Sequence, residues 1–136
     1  MLHRIKKDAD IHEGKWNGLG GKFNEGETPE ECVVREVFEE SGLTIADPKL
    51  CGFITFPGFK DDVDWYVFVY TADQFSGNLI ESPEGKLEWI EDSKVTSLPL
   101  WEGDPIFLKW IEQDKFFSAK FVYKNKKLVS HESVFY

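Results

Sequence analysis

Sulfur is scarce in this sequence. Two cysteines, Cys32 and Cys51, and one methionine occur in 136 residues. Two thiols do not make a disulfide framework, and both read as reduced thiols of a cytoplasmic protein. Neither has a C-x-x-C partner, which removes the usual structural zinc arrangements. Long apolar runs are also missing. No stretch reaches the about eighteen apolar residues of a membrane helix. The start, MLHRIKKDAD, has no apolar core of a secretory signal, so no leader is expected. Basic residues are the minority: 16 Lys and Arg stand against 25 Asp and Glu, a net charge of −9. That argues against sequence-independent binding to a nucleic-acid backbone, which needs a basic footprint. It leaves room for a small phosphorylated substrate, because divalent cations screen phosphates from carboxylates.

Repeats, low-complexity segments and linkers are absent. The length bounds one domain, residues 1–136. With 41% hydrophobic and 15% aromatic residues, the chain can fill a core.

What is present gathers between Gly21 and Leu43, in GKFNEGETPEECVVREVFEESGL. A Gly-rich loop (Gly18, Gly20, Gly21, Gly26) leads to Thr28-Pro29-Glu30-Glu31, a capping box with Pro at the first helical position. Gly42 reads as the helix stop. At about 100° per residue, Glu39 and Glu40 fall about 60° and 40° to either side of Glu36. The three carboxylates share a stripe. Val33, Val34, Val37 and Phe38 are the expected packing face. Like charges this close destabilise a helix, so something must compensate. A hard cation with oxygen ligands, such as Mg²⁺, would do so. A lone acidic cluster is more often a solvated helix face. Here it stands beside a Gly-rich loop, Arg35 and a capped helix start.

The pattern G-x5-E-x7-R-E-V-x-E-E-x-G-L runs through Gly21, Glu27, Arg35, Glu36, Val37, Glu39, Glu40, Gly42 and Leu43. It resembles the signature of the Nudix (MutT-type) hydrolases at every defined position. The resemblance implies an α/β/α sandwich around a mixed sheet. It also implies hydrolysis of a diphosphate bond. Glu36, Glu39, Glu40 and the Gly20 carbonyl would ligate Mg²⁺, with Mn²⁺ as the alternative. Arg35 would orient a box carboxylate, and Glu27 would be structural. The general base would be a box glutamate or Glu84, which stands where relatives carry a loop glutamate. The resemblance further implies a strand upstream of MLHRIKK. Almost nothing precedes that segment here, so this strand is expected to be missing, shortened or replaced.

The flanks narrow the substrate. The run Trp16-Asn17-Gly18-Leu19-Gly20-Gly21-Lys22 resembles that of the 8-oxo-dGTP diphosphatase type, where the Asn reads the purine edge. Asn17 carries donor and acceptor together, although an Asn before Gly is also a common turn. Lys22 joins it as a substrate-binding candidate. Trp101 and Asp104 stand where a Trp and paired acids contact the base; Gly103 replaces one acid. Trp101 would stack on the purine or serve as core. Asp104 would meet the polar edge of the base or act as a helix N-cap. The implied reaction converts a nucleoside triphosphate to monophosphate and pyrophosphate, clearing oxidised nucleotides. The alternatives are an ADP-ribose hydrolase, a non-catalytic nucleotide sensor and an RNA 5′-end hydrolase.

Elsewhere, strands are expected at Met1–Lys7, Leu50–Pro57, Asp64–Ala72 and Lys86–Glu91. A second helix is expected over Ile106–Asp114, and a terminal hairpin over Phe116–Tyr123 and Leu128–Tyr136. Thr44–Pro48, Asp73–Gly85 and Ser93–Leu98 read as connections, and Gly58–Asp62 as a turn.

Overall fold

The expected box helix forms between the two residues that punctuate it. In the computed structural model, which describes residues 1–3, 15–82 and 85–136, helix α1 spans Pro29–Ser41. The Thr28 hydroxyl accepts from the Glu31 amide at 3.1 Å, and the Glu31 carboxylate accepts from the Thr28 amide at 3.1 Å. This reciprocal box satisfies two amides that a helix start leaves without partners. At the other end Gly42 takes φ +80° and donates its N–H to Phe38 O at 2.8 Å.

The chain gathers into two compact units. One comprises Met1–Pro48 and Ala72–Leu100, the other Lys49–Thr71 and Trp101–Tyr136. In the first unit, β1 (Leu2–His3) is the middle strand between β2 (Trp16–Asn17) and β7 (Lys86–Leu87), all antiparallel. The strand expected at Met1–Lys7 is thus seen at its first residues, and residues 4–14 lie outside the described part. The Lys86–Glu91 strand is shorter than expected. Two segments expected as connections carry strands instead. β3 (Thr44–Ala46) pairs antiparallel with β6 (Gln74–Ser76), with Ile45 opposite Phe75. A one-turn helix, α2 (Asp92–Val95), replaces part of the third. Such short strands are set by partner pairing more than by local pattern.

The packing face of α1 also differs from expectation. Its buried residues are Cys32, Val37, Glu40 and Ser41, while Phe38 is 54% exposed. The buried arc is therefore rotated toward the carboxylates. The cause is the Gly-rich loop, which covers that side of the helix.

In the second unit, β4 (Lys49–Lys60) forms a hairpin with β5 (Val63–Thr71). β4 does not stop at Pro57; it continues through a register shift between Phe56 and Lys60. The turn is confined to Asp61 and Asp62, at φ +53° and +58°. Helix α3 (Asp104–Glu112) precedes β8 (Phe117–Lys124) and β9 (Lys127–Phe135). These last two form the expected hairpin, turned at Asn125 and Lys126 with positive φ. The sheet order is β5-β4-β8-β9, with β4 parallel to β8 and the other pairs antiparallel. It is a mixed sheet. Its core is Cys51, Ile54, Phe117, Ala119 and Phe121, against which the expected α3 stripe of Ile106, Phe107, Trp110 and Ile111 packs. Asp104 is not the N-cap: it is the first helical residue, and the cap is Gly103, with no side-chain capping bond.

The helix stop supplies a stability test. A Cβ at position 42 would need the left-handed conformation and would come within 2.6 Å of Asn78 O. Gly42→Ala is expected to cost at least about 1–2 kcal/mol. A urea titration should show a lower midpoint at unchanged slope. An unchanged midpoint would contradict this account of the helix end.

Candidate active site

The site is built on one guanidinium. Arg35 Nε donates to Glu27 Oε2 at 2.6 Å, and its Nη2 donates to Glu27 Oε1 at 3.0 Å. Nη1 donates to Glu36 Oε1 at 2.7 Å and to Glu39 Oε2 at 3.1 Å. Nη2 also donates to the carbonyl of Lys22 at 2.9 Å. One planar fork thus binds three carboxylates and the loop backbone, which a point-charge lysine would not do. The Arg35 pKa is pushed far up, first by the hydrogen bond with Glu27 and then by that with Glu36. It therefore remains a cation at any working pH.

Glu27 completes the loop. Its Oε1 accepts from the Asn24 amide at 2.6 Å, closing the turn before the helix. The hydrogen bond from Arg35, followed by that from Asn24, holds the Glu27 carboxyl below the usual carboxylate range. Its structural expectation matches these contacts.

The Gly-rich loop lies directly on the helix. The Gly20 amide donates to Glu40 Oε2 at 3.2 Å. A Cβ on Gly21 would collide with the Glu36 carboxyl group. The Gly20–Gly21 peptide, which carries the Gly20 carbonyl, is thus bracketed by the two carboxylates. Cys32 Sγ faces the next carbonyl, Gly21 O, at 3.8 Å. Burial raises the thiol pKa above its ordinary value. The three box glutamates differ in exposure: Glu40 is buried at 7%, the Glu36 side chain is 16% exposed, and that of Glu39 is 57% exposed.

These carboxylates are of the right type for a hard divalent cation. Among the described residues, however, no three acidic, His or Cys side chains are gathered closely enough to hold one. Arg35 draws Glu36 and Glu39 to itself, while Glu40 is held by Gly20. The compensation that the like charges on α1 require comes here from Arg35.

The other candidates are placed as follows. Asn17 is half-buried in β2, beside buried Trp16, whose amide donates to Pro99 O at 2.8 Å. Lys22 is exposed and contributes its carbonyl to Arg35. Glu84 lies outside the described residues. Trp101 and Asp104 belong to the second unit. Trp101 is only 5% exposed, and its ring packs against Phe59 and Tyr123 at centroid distances of 5.0 and 5.3 Å. Its placement is that of a core residue rather than an open stacking platform. Asp104 is half-buried at the head of α3. Sequence reasoning passed over Tyr123, whose hydroxyl accepts from the Gly103 amide at 2.6 Å. Nothing in the local pattern pointed to a contact 20 residues away.

The family model for the NUDIX domain matches residues 1–111. The chain belongs to the Nudix family. The uncharacterized Nudix hydrolase YvcI of Bacillus subtilis (strain 168) is 39% identical over 95 residues, covering 67% of this chain. The chain spans 60% of that relative's length. The oxidized purine nucleoside triphosphate hydrolase of Danio rerio is 33% identical over 116 residues, covering 85% of this chain and 74% of its own. The ADP-ribose pyrophosphatase of Bacillus subtilis (strain 168) is 33% identical over 115 residues, covering 84% of this chain and 57% of its own. Among solved structures, the mutator MutT protein of Bacillus halodurans matches with a TM-score of 0.86 at 31% identity. That match covers 97% of this chain and 86% of the other. The mixed α+β architecture is the MutT/Nudix fold.

In this Nudix chain the Glu27–Arg35 pair sets a pH dependence. The folded pKa of Glu27 is lowered, so its contribution to stability is present above the unfolded value and is lost as pH falls through the folded one. The wild type should therefore lose stability more steeply than Glu27→Gln between about pH 5 and pH 3. Parallel urea titrations across that range check this; identical slopes would contradict it.

Proposed function

We propose that this Nudix protein is a divalent-metal-dependent pyrophosphohydrolase of nucleoside triphosphates, with oxidised purine nucleotides such as 8-oxo-dGTP as its substrates. The observation that carries the reading is the closure of the Gly20–Gly21 peptide onto Glu36 and Glu40. That closure sets the glycine loop against two box carboxylates, whose oxygens are of the donor type that suits Mg²⁺ or Mn²⁺. The similarity to the Danio rerio hydrolase supports the substrate class.

Glu36, Glu39, Glu40 and the Gly20 carbonyl would hold the cation. When bound, it supplies neutralisation of phosphate oxygens and a more acidic water. The chain does the rest. A box glutamate, or Glu84, takes the proton from the attacking water. The water oxygen bonds to a phosphorus, the bridging P–O bond breaks, and pyrophosphate leaves from the nucleoside monophosphate. Arg35 keeps the box carboxylates oriented. Asn17 reads the purine edge with its paired donor and acceptor, and Asp104 meets the polar edge of the base. Lys22 places a positive charge beside the loop for the phosphates. Trp101 serves as the packed anchor of the corner that carries Asp104. The acidic balance is compatible with a small nucleotide that arrives with its cation.

The reading is tested by resolving products on anion exchange after incubation with Mg²⁺ and 8-oxo-dGTP, dGTP or ADP-ribose. Preferential release of 8-oxo-dGMP and pyrophosphate is expected. Preference for ADP-ribose would overturn the substrate class and leave the box chemistry standing.

A second prediction concerns the metal ligands. Glu40→Gln keeps the shape of a buried side chain and removes its charge. It should lower Mg²⁺-dependent turnover by about 100-fold or more, with an unchanged circular dichroism spectrum. Turnover near that of the wild type would sink the assignment of Glu40.

A further inference from the structure

The corner that introduces α3 is held more tightly than a helix start requires. Gly103 is buried and caps the helix without any side-chain capping bond. Its amide points instead at Tyr123 on β8, meeting the hydroxyl at 2.6 Å. The neighbouring Glu102 is fixed as well, because its Oε1 accepts from the Leu128 amide of β9 at 2.9 Å. On the other side, the Trp101 ring meets the Tyr123 ring edge to face, at 5.3 Å and 89°. Trp101 O accepts from the Asp104 amide at 3.0 Å, so the turn closes directly into the first helical residue. Three successive residues are thus tied to β8 and β9 immediately before Asp104.

The fit at Gly103 is exclusive. A Cβ there would lie 2.8 Å from Tyr123 Oη and 2.9 Å from Phe121 Cδ1. The hydroxyl of Tyr123 and the missing side chain of Gly103 therefore depend on one another. Phenylalanine at 123 would keep the ring contacts with Trp101 and Phe59 and delete only the hydrogen bond. Burial above all pushes the Tyr123 phenol up to about 12, with Asp104 and Glu102 adding to the rise. Tyr123 is thus an uncharged phenol throughout the working range, a fixed acceptor within electrostatic reach of the Asp104 carboxylate.

We propose that Tyr123 is a positioning residue for base selection: its hydroxyl, acting through the Gly103 amide, sets where Asp104 is presented to the edge of a purine. The inference rests on the nucleotide reading above and deepens it. It also assigns a role to the glycine that stands at one of the two acidic positions of the resembled pattern. With that acid absent, Asp104 is the one acid left of that pair, and the placement of Asp104 is what Tyr123 controls.

The test is Tyr123→Phe, assayed on 8-oxo-dGTP and on dCTP with the same Mg²⁺. The ratio of kcat/KM for the oxidised purine over that for dCTP is expected to fall about fivefold, the loss of one hydrogen bond. The change should lie in KM for 8-oxo-dGTP. A residue that merely stabilised the fold would lower both substrates together and leave the ratio unmoved, which would overturn the proposal. A wild-type protein with no preference between the two nucleotides would overturn the nucleotide reading and this inference with it. A measurement on the wild type stands independently of how the variant folds. The Gly103 amide resonance should shift when 8-oxo-dGMP is added and stay in place with inorganic pyrophosphate. A resonance indifferent to the purine would contradict the proposal.

Discussion

The arrangement of the site depends on a single cation that serves three carboxylates. Without Arg35, the stripe formed by Glu36, Glu39 and Glu40 would be a line of like charges one helical turn apart. With it, the stripe is partly neutralised and also tied to the loop in front of the helix, through Glu27 and the Lys22 carbonyl. The loop lies with Gly20 and Gly21 against the carboxylates. Burial of Glu40 follows from the same closure. Local sequence, helix capping and electrostatics thus converge on one piece of geometry, and the proposed chemistry uses that geometry directly.

The parts legible in the sequence were those specified by neighbours in the chain. The ends of α1 were readable because Thr28, Glu31 and Gly42 each supply a local hydrogen bond or dihedral. The β8–β9 hairpin and the apolar stripe of α3 were readable for the same reason. The pairing of Thr44–Ala46 with Gln74–Ser76 was not, since each strand has three residues and takes its register from the other. The rotation of the buried arc on α1 was hidden too. Helical periodicity counts apolar residues, whereas this helix buries Glu40 and half-buries Glu36 beside a glycine loop. Asp104 illustrates a further limit. Asp before Pro is a good N-cap on paper, but Gly103 takes the cap because its amide has a distant partner in Tyr123.

The candidate site divides in a similar way. The box glutamates and Arg35 stood out through the spacing of the resembled signature, which lies on one helix. Their engagement with Glu27, Lys22 and Gly20 required the fold. Residues proposed to select the base are distributed over β2 and the start of α3, and their order in the sequence says little about how each is held. Trp101 shows the consequence: its place in the pattern left stacking and core both open, and its packing is that of a core residue. Family membership and fold are secure on the match to the NUDIX domain and to the Bacillus halodurans MutT structure. The choice of nucleotide rests on the finer features of this chain.

The central claim is that the loop and helix together would hold a divalent cation, with Arg35 orienting the carboxylates that ligate it. A titration with Mn²⁺ followed by electron paramagnetic resonance, comparing the wild type with Glu36→Gln, tests it most directly. The account predicts saturable Mn²⁺ binding that competes with Mg²⁺ and is weakened at least about tenfold in the variant. Equal binding by both proteins, or no saturable binding by the wild type, would contradict it.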